Sequence, residues 1–164
     1  MVAYNFKAQF APLVQAGQKL QTIRALGKRR HARPGDALQL YTGMRTKGCR
    51  KLMPDIPCIG ATPVEMDVTP HTGLSLFLGD TALELPAIID LAKADGFGHD
   101  GSDPLDQFIR FFEARMPFKG VLIEWQPPRV TEGVLTQQDF DWADGVIESL
   151  KAMDQLGERQ LLYK

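Results

Sequence analysis

Gly17-Gln18-Lys19-Leu20-Gln21-Thr22-Ile23-Arg24 is the stretch on which the fold turns, because two different periodicities meet in it. On its N-terminal side Phe10, Leu13 and Val14 stand at the i, i+3, i+4 spacing of one helical face, with Pro12 in the first turn. Gly17 falls where a C-terminal cap belongs, so a short helix over residues 9–17 is expected to end there. On its C-terminal side residues 20–25 read as a strand. In an extended strand Leu20, Thr22 and Arg24 share one face, and Lys19 points away from Thr22. The two converge only if the chain bends near Lys19, which the glycine cap allows.

Working outward, the basic stretch 27–33 and the following Pro34-Gly35-Asp36 read as a loop closed by a turn. Residues 37–42, with Leu38 and Leu40 on one side, are the next strand, and 43–57 form an irregular excursion with a positive tip. Residues 58–68 are strand-like, with Gly60 and Pro63 marking a bulge or an edge. A hairpin over 74–78 and 82–85 turns at Gly79-Asp80. Pro86 opens a second helix that carries Ile88, Ile89, Leu91 and Ala92, with Asp95 on its last turn and Gly96 at its end. A third helix takes Ser102 or Asp103 as N-cap and Pro104 as its first residue, and stops before Pro117.

Residues 120–125 read as a buried strand, and Pro127-Pro128 after them is the clearest boundary in the chain. Thr136 and Asp139 then resemble a capping box opening a helix to about residue 156, striped by Phe140, Ala143, Ile147, Leu150 and Met153. The expected division is one domain over 1–126, followed by a linker and amphipathic helix over 127–164. That helix packs on the domain or on a second copy, as a homodimer.

The chain has 164 residues, 44% of them apolar, enough for one core and too few for two independent domains. It has no charged and apolar leader pattern at its start and no apolar run near the roughly 18 residues of a membrane span, so a cytoplasmic setting without a membrane partner is expected. Cys49 and Cys58 are too few for a disulfide framework, and the three histidines are scattered, so neither a metal nor a cofactor is expected. Net charge is −1, yet it is unevenly spread. Residues 1–54 hold eleven Lys or Arg against Asp36 alone, and the remainder holds eight against nineteen acids. Such asymmetry points to an anionic partner for the basic part, phosphate above all, or to attraction between the two halves.

The octapeptide resembles the G-x-K-x-x-T-x-R signature of the ASCH superfamily, relatives of PUA and other RNA-binding barrels. Pro34-Gly35-Asp36 before a strand is similar to the family's Gly-Asp turn, and Ala92-Lys93-Ala94-Asp95-Gly96-Phe97 to its A-x-x-E-G-F segment. The resemblance spans about residues 4–125. It implies an α+β fold, a small PUA-like mixed β-barrel with flanking helices, to which the C-terminal helix is an addition. It also implies a role on RNA or a modified nucleoside. Some small bacterial members are N4-acetylcytidine amidohydrolases using a lysine and a threonine of the first motif and a glutamate of the helix-end segment; others bind or cleave RNA. Carried over, the catalytic set is Lys19, Thr22 and Asp95, the last an aspartate where the family has glutamate.

The chemistry suits that set. A threonine hydroxyl is a poor nucleophile until a base takes its proton, and a lysine serves only if burial or nearby positive charge lowers its pKa from about 10.4. Arg24 would supply such charge, and the carboxylate would orient the amine or carry a proton. For nucleic-acid binding, Arg24, Lys28, Arg29, Arg30 and Arg33 are expected along one side of a cleft, Arg45, Lys47, Arg50 and Lys51 along another, and Tyr41 as a face for base stacking. Three readings follow: a binding module for RNA or a modified nucleoside, a hydrolase acting on an acylated nucleoside or on RNA, and an interaction domain for an acidic protein.

Overall fold

The computed structural model describes residues 1–71 and 73–126. The expected C-terminal helix and the linker before it lie outside the described residues. Strand β2 (Gln21–Ala25) carries β-branched Thr22 and Ile23 and runs antiparallel to β8 (Phe118–Trp125), with Thr22 opposite Ile123 and Ala25 opposite Gly120. The other face of that terminal strand's ladder is taken by β5 (Ile56–Thr69), the longest strand, which organises the rest.

Three ladders meet on β5. Its first residues pair with β3 (Ala37–Thr42), Cys58 to Met66 lie along β8, and Val64 to Thr69 pair with β6 (Gly73–Leu78). The register slips between Cys58 and Gly60, the bulge that Gly60 foreshadows. Pro63, which cannot donate to a ladder, accepts from the Gly79 amide at 2.8 Å. Strand β1 (Val2–Phe6) adds parallel to β3, β4 (Arg50–Lys51) pairs with the end of β3, and β7 (Thr81–Ala82) completes the hairpin with β6. The result is a mixed α+β fold with an eight-stranded sheet. Among the described residues no ladder joins β1 to β2, so the sheet stays open rather than forming a hydrogen-bonded ring.

Three short helices accompany the sheet: α1 (Ala11–Gln15), α2 (Leu85–Ala94) and α3 (Pro104–Phe112). Asp103 caps α3 by accepting from the Asp106 amide at 2.8 Å. Phe97, Phe108 and Phe112 lead from the α2–α3 connection to Phe118 on β8 in edge-on or tilted contacts of 5.0–5.4 Å, and Phe10 joins at Phe97. This aromatic wall ties the α2–α3 connection to α3 and to β8. None of the described helices is long and apolar enough to cross a membrane.

Strands β1 and β4 are absent from the sequence reading. In β1 the alternation of buried Tyr4 and Phe6 with exposed neighbours lasts only five residues and has no turn before it. Strand β4 consists of two exposed basic residues that are extended only because Tyr41 and Thr42 lie opposite. Residues 8–10 form a tight 3₁₀ turn before α1, so the first helix is shorter than its pattern suggests. The strand expected at 20–25 begins one residue later, at Gln21.

Candidate functional site

Gly17 takes φ +66° at the end of α1, and the Gln18 and Lys19 amides both return to the Leu13 carbonyl, at 2.9 and 3.0 Å. This is the required bend. It leaves Lys19 and Leu20 outside the strand and turns the Lys19 side chain inward, where the residue is 1% exposed. Its Nζ donates to Asp95 Oδ1 at 2.8 Å and also to the Asp95 main-chain carbonyl.

Asp95 comes from the residue that ends α2, and is itself 4% exposed. Gly96 follows with φ +97°, and a Cβ there would meet Phe10, Leu13 and the Lys19 stem at 3.1–3.2 Å. The glycine therefore serves the turn and the close pass over Lys19 together. The Ile23 backbone amide of β2 also helps to hold the Asp95 carboxyl down, less than Lys19 and Arg24 do.

Thr22 is buried on β2, and its hydroxyl forms no hydrogen bond with another described residue. Lys19, Thr22, Arg24 and Asp95 line one cavity of about 130 Å3. Phe6, Phe10 and Phe112 form its apolar walls, and the Lys19 ammonium lies 4.9 Å from the Phe10 ring centre. Burial pushes the Lys19 amine down and the Asp95 carboxyl up, and the opposite charge of each partner draws it part of the way back. Arg24 adds to the depression of Lys19, as its position in the motif leads one to expect. The Arg24 guanidinium is itself pushed down by burial and rests on the rings of Phe6 and Tyr4, 4.7 and 5.4 Å from their centres.

Of the expected nucleic-acid contacts, Arg24 alone lines this cavity. Lys28, Arg29, Arg30 and Arg33 are exposed on the loop that leaves β2 at the cavity wall, where Ala25 is a lining residue. The loop is anchored: the Tyr4 hydroxyl accepts from the Ala32 amide at 3.1 Å and meets His31 Nδ1 at 3.3 Å, while His31 Nε2 lies 3.0 Å from the Ala25 carbonyl. Arg30 pairs with Asp36 at 2.7 Å. Arg45 and Lys47 are exposed on the turn after β3. Arg50 and Lys51 follow on β4, beside half-buried Tyr41, and Lys51 is paired with Asp55 at 2.5 Å.

Two cationic residues at the cavity escaped the sequence reading as site residues, Lys7 and Arg115. Lys7 lies over the Phe111 ring, 4.4 Å from its centre, and Phe111 is a lining residue too. Neither belongs to a motif, and no local spacing marks them. Among the described residues no three of His, Cys, Asp and Glu gather as a metal site would require. Chemically, the arrangement offers a neutralised or proton-sharing Lys–Asp pair, an unengaged hydroxyl and surplus positive charge at one small cavity. Comparison with protein-family models, with curated proteins and with solved structures returns no match to this chain.

Proposed function

We propose that this is an ASCH-type protein on a PUA-like barrel, and that it binds RNA or a modified nucleoside at the Lys19 cavity. The observation that carries the reading is that Lys19, Thr22 and Arg24 of the G-x-K-x-x-T-x-R stretch line one cavity, with Asp95 of the helix-end segment beside them. Support for the barrel comes from β5, which carries ladders to β3, β6 and β8 and bends at the Cys58/Gly60 bulge. The basic loop leaving the cavity wall at Ala25 offers a phosphate-facing flank. Single-stranded RNA should bind with an affinity that falls steeply as salt rises. Changing Lys28, Arg29, Arg30 and Arg33 to Gln should weaken binding and flatten the log–log salt slope by up to about 3, the scale of four phosphate contacts to a single strand. An unchanged slope would remove the loop from the interface, and binding only to an acidic protein would favour the interaction-domain reading.

The second reading, a hydrolase, is favoured by the juxtaposition of a depressed buried amine and an unengaged threonine hydroxyl. In it Thr22 Oγ1 attacks the acyl carbon or phosphorus as Lys19 takes its proton, the bond to the departing group breaks and that group recovers the proton through the Lys19–Asp95 pair, and a water then hydrolyses the Thr22 ester, releasing the acid and restoring the hydroxyl. With N4-acetylcytidine and single-stranded RNA as substrates, mass spectrometry distinguishes release of acetate from chain cleavage. Turnover should vanish in Thr22→Ala while binding is retained. Intact substrates with the unmodified protein would leave the binding module alone.

A further inference from the structure

The lining of the Lys19 cavity is lopsided in charge: Lys7, Lys19, Arg24 and Arg115 contribute four cations, and Asp95 is the one acid. Lys19 already holds that acid in a close ion pair, and Asp95 acts on Arg24 only from beyond ion-pair distance. Arg24 Nε is buried without a hydrogen-bond partner, and no carboxylate among the described residues forms an ion pair with Arg24, Lys7 or Arg115. A guanidinium laid on two aromatic rings and short of acceptors costs stability unless something anionic completes it. Low-dielectric walls of phenylalanine strengthen the pull on such a group.

Size narrows the choice. At about 130 Å3 the cavity falls below the roughly 300–1,000 Å3 that encloses a whole small ligand, so it takes one compact group. Lys7 and Phe111 are shared with a shallower trough of about 350 Å3, also lined by Gln9, Phe97, Gln107 and Arg110. That trough has room for what the compact group is attached to, with Phe111 at the junction. Among compact anions phosphate suits the donors best, since its several oxygens match a guanidinium fork and accept from ammonium and guanidinium groups around it.

We propose that Arg24, Lys7 and Arg115 form a phosphate subsite, so that the ligand is a nucleotide or an RNA phosphodiester rather than a neutral nucleoside. The sugar and base rest on the nucleic-acid reading above; the phosphate does not. Arg24 is the inner member, held in place by Phe6 and Tyr4, and Lys7 and Arg115 are exposed at the mouth.

The test is calorimetric titration of the full chain with inorganic phosphate, the four common ribonucleosides, their 5′- and 3′-monophosphates, and a short single-stranded RNA. At least one monophosphate should bind roughly ten-fold or more tightly than its nucleoside, the scale of a charge-assisted contact. Inorganic phosphate should compete with it. That advantage should shrink in Arg24→Gln, and also in Arg115→Gln and Lys7→Gln, whose exposed positions keep the fold intact should Arg24→Gln fail to fold. Nucleosides binding as well as their monophosphates would overturn the subsite and leave the nucleoside reading standing. Phosphate binding that is lost in the variants, with no response to any nucleotide or RNA beyond it, would uphold the subsite and overturn the nucleic-acid reading. A phosphate advantage unchanged in all three variants would overturn the assignment to these residues, and no binding of any probe would overturn both. Tighter binding of RNA than of every monophosphate would identify the phosphodiester as the source.

Discussion

A lysine that is 1% exposed must find its acceptors inside the protein, and Lys19 takes both from one residue, the side chain and the main-chain carbonyl of Asp95. The contact is thus made by an aspartate, at the position where the motif it resembles has glutamate. The turn at Gly96 brings the backbone itself against the amine, so the shorter side chain already reaches Nζ at 2.8 Å. An exposed ion pair of the same length would contribute little, but one member of a buried pair cannot be removed without stranding the other. Lys19→Met should therefore destabilise the fold by about 3–5 kcal/mol in urea unfolding, with Lys19→Met/Asp95→Leu recovering much of that loss. A double variant no more stable than the single one would show that the burden lies in packing and not in the uncompensated charge. That Thr22 and Arg24 line the same cavity was legible because they sit two apart on a strand face, a relation that sequence spacing states directly.

At the scale of elements, the turn from Arg33 to Asp36 sets the posture of the basic loop. The Asp36 carboxylate accepts from Arg30 at 2.7 Å and from the Arg33 amide at 2.9 Å, which holds its pKa at about 2 instead of 3.8. A carboxylate depressed in this way adds stability that is present above pH 3.8 and is lost as pH falls through about 2. An NMR titration should place the Asp36 midpoint near 2, and Arg30→Gln should move it up towards 3.8. A midpoint unmoved by that change would leave the Arg33 amide as the source of the depression. The turn and the three helices were readable because Pro, Gly, Asp and the i, i+3, i+4 spacing act over a few residues. Strand β4 was not, since two basic residues become a strand only through the pairing of Lys51 with Tyr41 and of Arg50 with Thr42.

For the molecule as a whole, the site depends on the β2–β8 ladder, because Thr22 and Arg24 stand on β2 and β8 carries β2 to the long β5. Gly120, opposite Ala25, is the tight point: a Cβ there would press on the Arg24 carbonyl and come within 2.6 Å of the Phe118 ring. Gly120→Ala should cost roughly 1–3 kcal/mol in unfolding free energy by overpacking, and should weaken ligand binding as β2 shifts. Unaltered stability would mean that the ladder yields locally. What the sequence determined by itself is what neighbours along the chain can express: the bend at Gly17, the strand after it, the capped helices, and the concentration of positive charge in the N-terminal third. What only the tertiary structure decided is which distant groups meet. Asp95 reaches Lys19 across 76 positions, and Lys7 and Arg115 come to one cavity from opposite ends of the described chain. Periodicity encodes which face of an element is buried, whereas the partner of that face is chosen by the packing of the aromatic wall and the ladders on β5, and no spacing along the chain records it.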